Sequence, residues 1–176
     1  MKRTLFVMVL LLSACGLRAQ QLAVGTDIPA LAMGIYNGGA ELTVGNRSTI
    51  GVSLFGAYHP WISKSSKAIG IQPEYRYYFG GRPMYHHYVG IGLLAVNYDF
   101  KWKEKRYDGD AVGAGLTFGY VVSLGRRFSL DAHAGVGLLR YHHQENGVES
   151  LESPIECREY VMMPTKIGVT LSYILR

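Results

Sequence analysis

The sequence predicts an all-β protein: a closed, eight-stranded, antiparallel up-and-down barrel that crosses a membrane with its strands. Three observations lead there. The 176 residues are 48% hydrophobic and only 18% charged, with 22 glycines and 13 tyrosines. Such an apolar chain is not disordered, its length suits one domain, and no apolar run is long enough for a membrane helix. Second, the hydrophobic period is two. Ile50, Val52 and Leu54 alternate with Thr49, Gly51 and Ser53, and residues 112–120, 128–134 and 166–173 repeat the pattern. Third, turn signals cut the chain into eight segments of strand length.

Taken in order, residues 1–19 read as a secretory signal. Lys2 and Arg3 precede an apolar run from Thr4 to Ala14, too short to span a bilayer. Cleavage after Ala19 is the preferred reading. Leu12-Ser13-Ala14-Cys15 offers an alternative, a lipobox in which Cys15 becomes the lipidated first residue. Removing 1–19 takes away Lys2, Arg3 and Arg18 and no acid. The 18 bases fall to 15 against 13 acids, and the formal charge drops from +5 to +2. A nucleic-acid partner loses its main support. Cys157 is then the one thiol left and reads as a spare loop cysteine.

The barrel domain, 20–176, divides into strands at about 21–28, 36–45, 49–60, 68–79, 86–100, 107–124, 128–142 and 161–175. No convincing helix is found. The turns at 46–48, 80–83 and 125–127 are short, whereas connections at the other end are longer and more polar. That asymmetry is characteristic of outer-membrane barrels and puts both termini on the periplasmic side. The faces agree. Gly113, Gly115, Thr117 and Gly119 suit a narrow interior; Val112, Leu116, Phe118, Tyr120 and Val122 suit lipid. Tyr58, Trp61, Tyr75, Tyr77, Phe79, Tyr98, Phe100, Trp102, Phe128, Tyr141 and Tyr173 lie near strand ends, as interfacial girdles do.

Gln72-Pro73-Glu74-Tyr75-Arg76-Tyr77-Tyr78-Phe79, Gly113-Ala114-Gly115-Leu116, Arg127-Phe128-Ser129-Leu130 and Pro164-Thr165-Lys166-Ile167-Gly168 resemble an uncharacterised Bacteroidota family of small outer-membrane β-barrels, a domain of unknown function. The resemblance covers nearly the whole mature chain. It implies an eight-stranded outer-membrane barrel and no established activity. Lys166, Gly168, Leu171 and Tyr173 also resemble the bacterial barrel-assembly signal, although the chain ends Ile174-Leu175-Arg176 rather than in an aromatic residue.

For chemistry, alternation turns Glu41, Gln72, Glu74, Arg76, Asp131, His133 and Lys166 into the lumen. Charges in so narrow a space must pair, so the expectation is an ion-pair network that plugs the barrel rather than a pore. His86-His87 and His142-His143 are adjacent pairs whose members should face opposite ways, which argues against one shared metal. No cofactor is expected. A lipid-modifying deacylase or acyltransferase, with His142 or His143, Glu145 and Ser150 at one rim, is the enzymatic alternative. Lys101, Lys103, Lys105 and Arg106 face an acidic loop holding Glu145, Glu149, Glu152, Glu156 and Glu159. The expected role is structural or interactive, in adhesion or envelope assembly, through these loops. Partners would be outer-membrane lipid and lipopolysaccharide, the barrel-assembly machinery and an envelope protein. The expected location is the outer membrane of a Gram-negative bacterium.

Overall fold

The computed structural model describes residues 21–58, 66–102, 105–146 and 157–175. The proposed signal peptide and Cys15 lie outside them. Eight strands follow one another: β1 (Leu22–Asp27), β2 (Ile35–Thr43), β3 (Ser48–Tyr58), β4 (Ser66–Tyr78), β5 (His86–Trp102), β6 (Lys105–Ser123), β7 (Phe128–Asn146) and β8 (Cys157–Leu175). Each pairs antiparallel with the next, and β1 pairs with β8, so the sheet closes into a barrel. The turns 44–47, 79–85 and 124–127 define one end, here the turn end; the opposite end is the loop end.

Three differences from the sequence reading have physical causes. Among the described residues one helix is present, α1 (Ile28–Ala32), where none was expected. Asp27 caps it, its side chain accepting a 2.9 Å hydrogen bond from the Ala30 amide, and Pro29 presets the first turn. Gly34, at φ 81°, then reverses the chain into β2. β5 to β8 also run further toward the loop end than the polar sequence suggested. The β5–β6 ladder reaches Trp102↔Lys105, and the β7–β8 ladder reaches His143↔Cys157. Polarity ends a strand only where its face must be buried, so these ladders continue. Finally, Tyr98, placed in a girdle above, packs inside the lumen against a cluster of Leu94, Ala111 and Leu139.

Strand length rises round the barrel, from 6 residues in β1 and 9 in β2 to 19 in each of β6, β7 and β8. The wall is therefore low at β1. β8 pairs with β1 only over Leu22↔Leu175 to Asp27↔Thr170, so its residues before Thr170 have ladder partners on the β7 side alone. α1 lies over this notch and touches both β2 and β8. Two prolines also interrupt the ladders. Pairing of β4 with β5 breaks between Ile71↔Ala95 and Glu74↔Gly92, at Gln72 and Pro73. In β8 the register shifts between Gly135 and Val136, whose partners are Lys166 and Pro164, so Thr165 is bulged.

The two faces separate cleanly. Outward side chains include Ile50, Leu54, Ile69, Ile91, Leu93, Val112, Phe118, Leu138 and Ile167, each more than half exposed. The inward face is built from long side chains received by glycine slots. A Cβ on Gly119 would strike the Tyr88 ring, and one on Gly168 would strike the Asp27 carboxylate. Gly115, Gly135 and Gly137 together leave room for bulged Thr165. At the turn end Met84 is buried, held by backbone of positive φ at Met84 and His86. That strained turn also breaks side-chain alternation: His86 and His87, expected to diverge, both lie against the Tyr120 ring, at 5.6 and 4.5 Å.

Candidate functional site

Strand alternation places Arg76 of β4 in mid-lumen, and its guanidinium organises the site. Nη1 donates at 3.0 Å to Glu41 of β2 and at 3.0 Å to Asp131 of β7. Nε and Nη2 lie 3.0 and 2.9 Å from the same oxygen of Glu74, two residues along β4 on the same face. Glu74 also accepts from the Lys166 ammonium of β8, at 3.1 Å. Three strands, β2, β4 and β7, are thus tied through one planar cation, whose fork of donors suits this work where a lysine could not, and Lys166 joins β8 to them through Glu74.

Neutral hydroxyls complete the carboxylates. Tyr78 Oη donates to Glu41 at 2.6 Å, beside a hydrogen bond from Thr49 to the same oxygen. Tyr88 Oη lies 3.1 Å from both oxygens of Asp131. The two phenol rings pack 5.2 Å apart, and the Arg76 guanidinium stands 4.6 Å over the Tyr88 ring. Tyr78, Tyr88 and Val121 form a buried cluster toward the turn end, and Thr49 is fully buried beside them. Charge on this layer is therefore held away from water and paired within the protein.

His133 is the least satisfied member. Its Nε2 is 3.6 Å from Asp27 and its Nδ1 is 3.7 Å from Asp131, both beyond hydrogen-bond length. Its side chain is 1% exposed. Four buried side-chain atoms have no hydrogen-bond partner among the described residues: Asp27 Oδ2, Thr43 Oγ1, Glu74 Oε1 and His133 Nδ1.

Glu41, Glu74, Arg76, Asp131, His133 and Lys166 are thus neighbours in one layer, with Gln72 buried on the same face of β4. Of the four residues that resemble an assembly signal, Lys166 faces the layer and Gly168 receives Asp27. Tyr173 accepts from Arg127 at 2.9 Å and meets the Phe128 ring edge-on, at the turn end. Leu171 pairs with Thr26 and Leu130 across its two neighbouring strands. The backbones of His142, His143 and Glu145 belong to the loop-end part of β7, but their side chains and Ser150 lie outside the described residues.

Reasoning from sequence missed three participants. Asp27 was hidden at a strand end, although it shares parity with Ala23 and Gly25, and Asp-Ile-Pro is a helix-start signal. Tyr78 and Tyr88 were overlooked because tyrosine in such a chain suggests an interface. Their parity with Arg76 and Gly90 was the available clue.

A narrow closed barrel whose lumen is crossed by a paired charge layer defines a class: a small plugged β-barrel. More narrowly, a family model described as a protein of unknown function, DUF3575, matches residues 5–175, and the chain belongs to that family. No curated protein and no solved structure gives a significant match.

Proposed function

We propose that this chain is a small integral outer-membrane barrel of a Gram-negative bacterium. Its role is structural or interactive, in adhesion or envelope assembly, and is exerted at the loop end. One observation carries this reading: an outward belt without charge. Among the described residues, exposed Lys67, Asn97, Asp110 and Arg140 mark its upper limit on β4 to β7. Between them and the turns, outward positions are held by residues such as Ile71, Ile91, Leu116 and Leu138. Water does not favour a continuous apolar band of this extent, whereas lipid does. Tyr75, Tyr77, Phe79 and Phe128 are exposed near the turn end, where an aromatic girdle belongs. A polar, glycine-rich inside and an apolar outside invert a soluble barrel. The belt therefore weighs against the soluble lipoprotein anchored at Cys15.

The charge layer supports a closed rather than conducting barrel. Arg76 bridges β2, β4 and β7 across the lumen, and the Tyr78–Tyr88 pair fills the level beside it. A protein of this design presents its loops and its outer wall, to lipopolysaccharide or to an envelope partner. The assembly machinery would act on the β8 end, which carries Tyr173. The side chains of His142, His143 and Glu145, and Ser150, on which the lipid-modifying enzyme would depend, lie outside the described residues.

Two measurements test the proposal together. The folded protein should stay in the membrane pellet after carbonate and should migrate faster on gels before boiling than after it. Release by carbonate with no heat-dependent shift would overturn the membrane reading. In planar bilayers the purified barrel should give no steady conductance; open-channel steps would overturn the plug.

A further inference from the structure

The turn end is the basic end of the molecule. The turns 44–47, 79–85 and 124–127 carry Arg47, Arg82, Arg126 and Arg127 and no aspartate or glutamate. Two of these arginines, Arg82 and Arg126, come from different turns and line one cavity of about 370 Å³ at the barrel mouth. At ~30 Å³ per water this space equals about twelve waters, enough for a phosphate and a short carbon skeleton. We propose that the cavity binds a phosphate monoester, its dianionic phosphoryl group held by Arg82 and Arg126.

Charge selects the ligand first. Among the described residues, the charged groups lining the cavity are Arg82 and Arg126, both positive. Neither guanidinium forms an ion pair or hydrogen bond with a described residue. The lumen acids Glu41 and Asp131 do not offset them, being engaged by Arg76 and by Tyr78 and Tyr88. Two uncompensated positive charges facing one space are balanced by one phosphate monoester, which carries a charge of about −1.5 to −2. A carboxylate leaves one of them in excess. Geometry comes second. Each arginine follows a glycine held at positive φ, Gly81 at 81° and Gly125 at 106°, so both turns present their arginine from the same kind of bend. The Arg82 guanidinium lies 4.0 Å over the Tyr85 ring, which itself stacks on His86. Stacking occupies one face of the planar group and leaves its N–H edge for phosphoryl oxygens. Third, the rest of the lining suits an ester rather than a bare ion. Gln21 and Ser123 bring neutral side chains able to donate, while Met84 and Ile174 supply apolar wall for the carbon skeleton. The inference rests on the turns alone and stands whether or not the outer belt meets lipid.

A matched three-carbon series tests it: glycerol 3-phosphate, glycerate and glycerol, titrated into the full chain folded in an uncharged maltoside detergent. The readout is the NMR shift of the Ser123 and Gly125 backbone amides, whose residues line the cavity. Glycerol 3-phosphate should saturate both signals at a concentration about tenfold below glycerate, glycerol should leave them unmoved, and added salt should weaken binding. A second arm places the chain in phosphatidylcholine bicelles with and without phosphatidic acid, whose headgroup is a monoester. Movement by phosphatidic acid alone identifies a lipid headgroup as the ligand, and movement by glycerol 3-phosphate alone identifies a free ester. No movement in either arm, or equal affinity for glycerate and glycerol 3-phosphate, would overturn the proposal. Arg82→Gln and Arg126→Gln should each weaken binding about tenfold. Arg47→Gln, in the turn whose arginine does not line the cavity, should stay within about twofold of the parent chain. Equal losses in all three variants would mean a diffuse positive field in place of a site, and overturn the proposal too. Should Arg82→Gln lose its folded gel mobility, Arg126→Gln against Arg47→Gln decides alone.

Discussion

The turn-end and loop-end halves of the lumen are made from the same strands but solve opposite problems. Toward the turn end, every ladder is complete, the interior is filled by Tyr78, Tyr88 and Met84, and each carboxylate meets a donor. Toward the loop end on the β1 side, the wall is low, the ladder stops at Asp27, and a five-residue helix covers a largely apolar cavity. The contrast teaches that closure of the sheet and filling of the lumen are separate requirements. A barrel can keep one half rigid through side-chain pairing and leave part of the other half hollow.

The sharpest way to break the contrast is to remove its organising cation. Arg76→Met leaves Glu41, Glu74 and Asp131 buried without their shared partner. Breaking such pairing costs about 3–5 kcal/mol. Urea unfolding in detergent should register a loss of this size, or no folded barrel at neutral pH. A next, smaller effect comes from the glycine slots. Gly119→Val drives a Cβ into the Tyr88 ring, which is pinned by Asp131 and packed on Tyr78. Overpacking of this kind costs about 1–3 kcal/mol. Gly38→Val, where no atom lies within 4 Å of the added Cβ, should be neutral or stabilising in the same assay.

On the open side the effects should be smaller and local. Asp27→Ala removes the cap of α1 at about 0.5–2 kcal/mol. Hydrogen exchange should accelerate over residues 28–34 while the amides of β5 to β7 keep their protection. Equal acceleration everywhere would mean that the two halves are one cooperative unit. Smallest is the seam at Pro73. Its carbonyl oxygen lies 3.1 Å from a Cβ built on Gly92, so its nitrogen also faces β5, without a hydrogen to donate. Pro73→Val restores a donor and should stabilise by about 0.5–1 kcal/mol, read by slower exchange at Leu93 and Leu94.

The closed half was the more legible in the sequence, for a physical reason. A two-residue period survives in any strand with unlike faces, so the parity of Glu41, Glu74, Arg76, Asp131, His133 and Lys166 could be counted directly. Counting fails where the backbone leaves that period. The positive φ at His86 brings two adjacent histidines onto one ring, and the Thr165 bulge puts two consecutive residues inside. α1 is too short for a helical period to accumulate, and only its cap and proline announce it. Tyr98 was misplaced because residue type was read ahead of parity. The cavity beside α1 could not be anticipated, since it follows from unequal strand lengths that polar strand tips conceal.

The unequal strands have a consequence in time. Closing the barrel joins β1 to β8, the two ends of the described chain, so it carries the largest loop-closure entropy of any pairing. It is also the second-shortest hydrogen-bonded seam, six residue pairs against eighteen for β6 with β7. The costliest contact in entropy is thus among the least rewarded, so β1 docks last in folding and leaves first in unfolding. Asp27, which sits where that seam stops, is the latch on the whole cylinder.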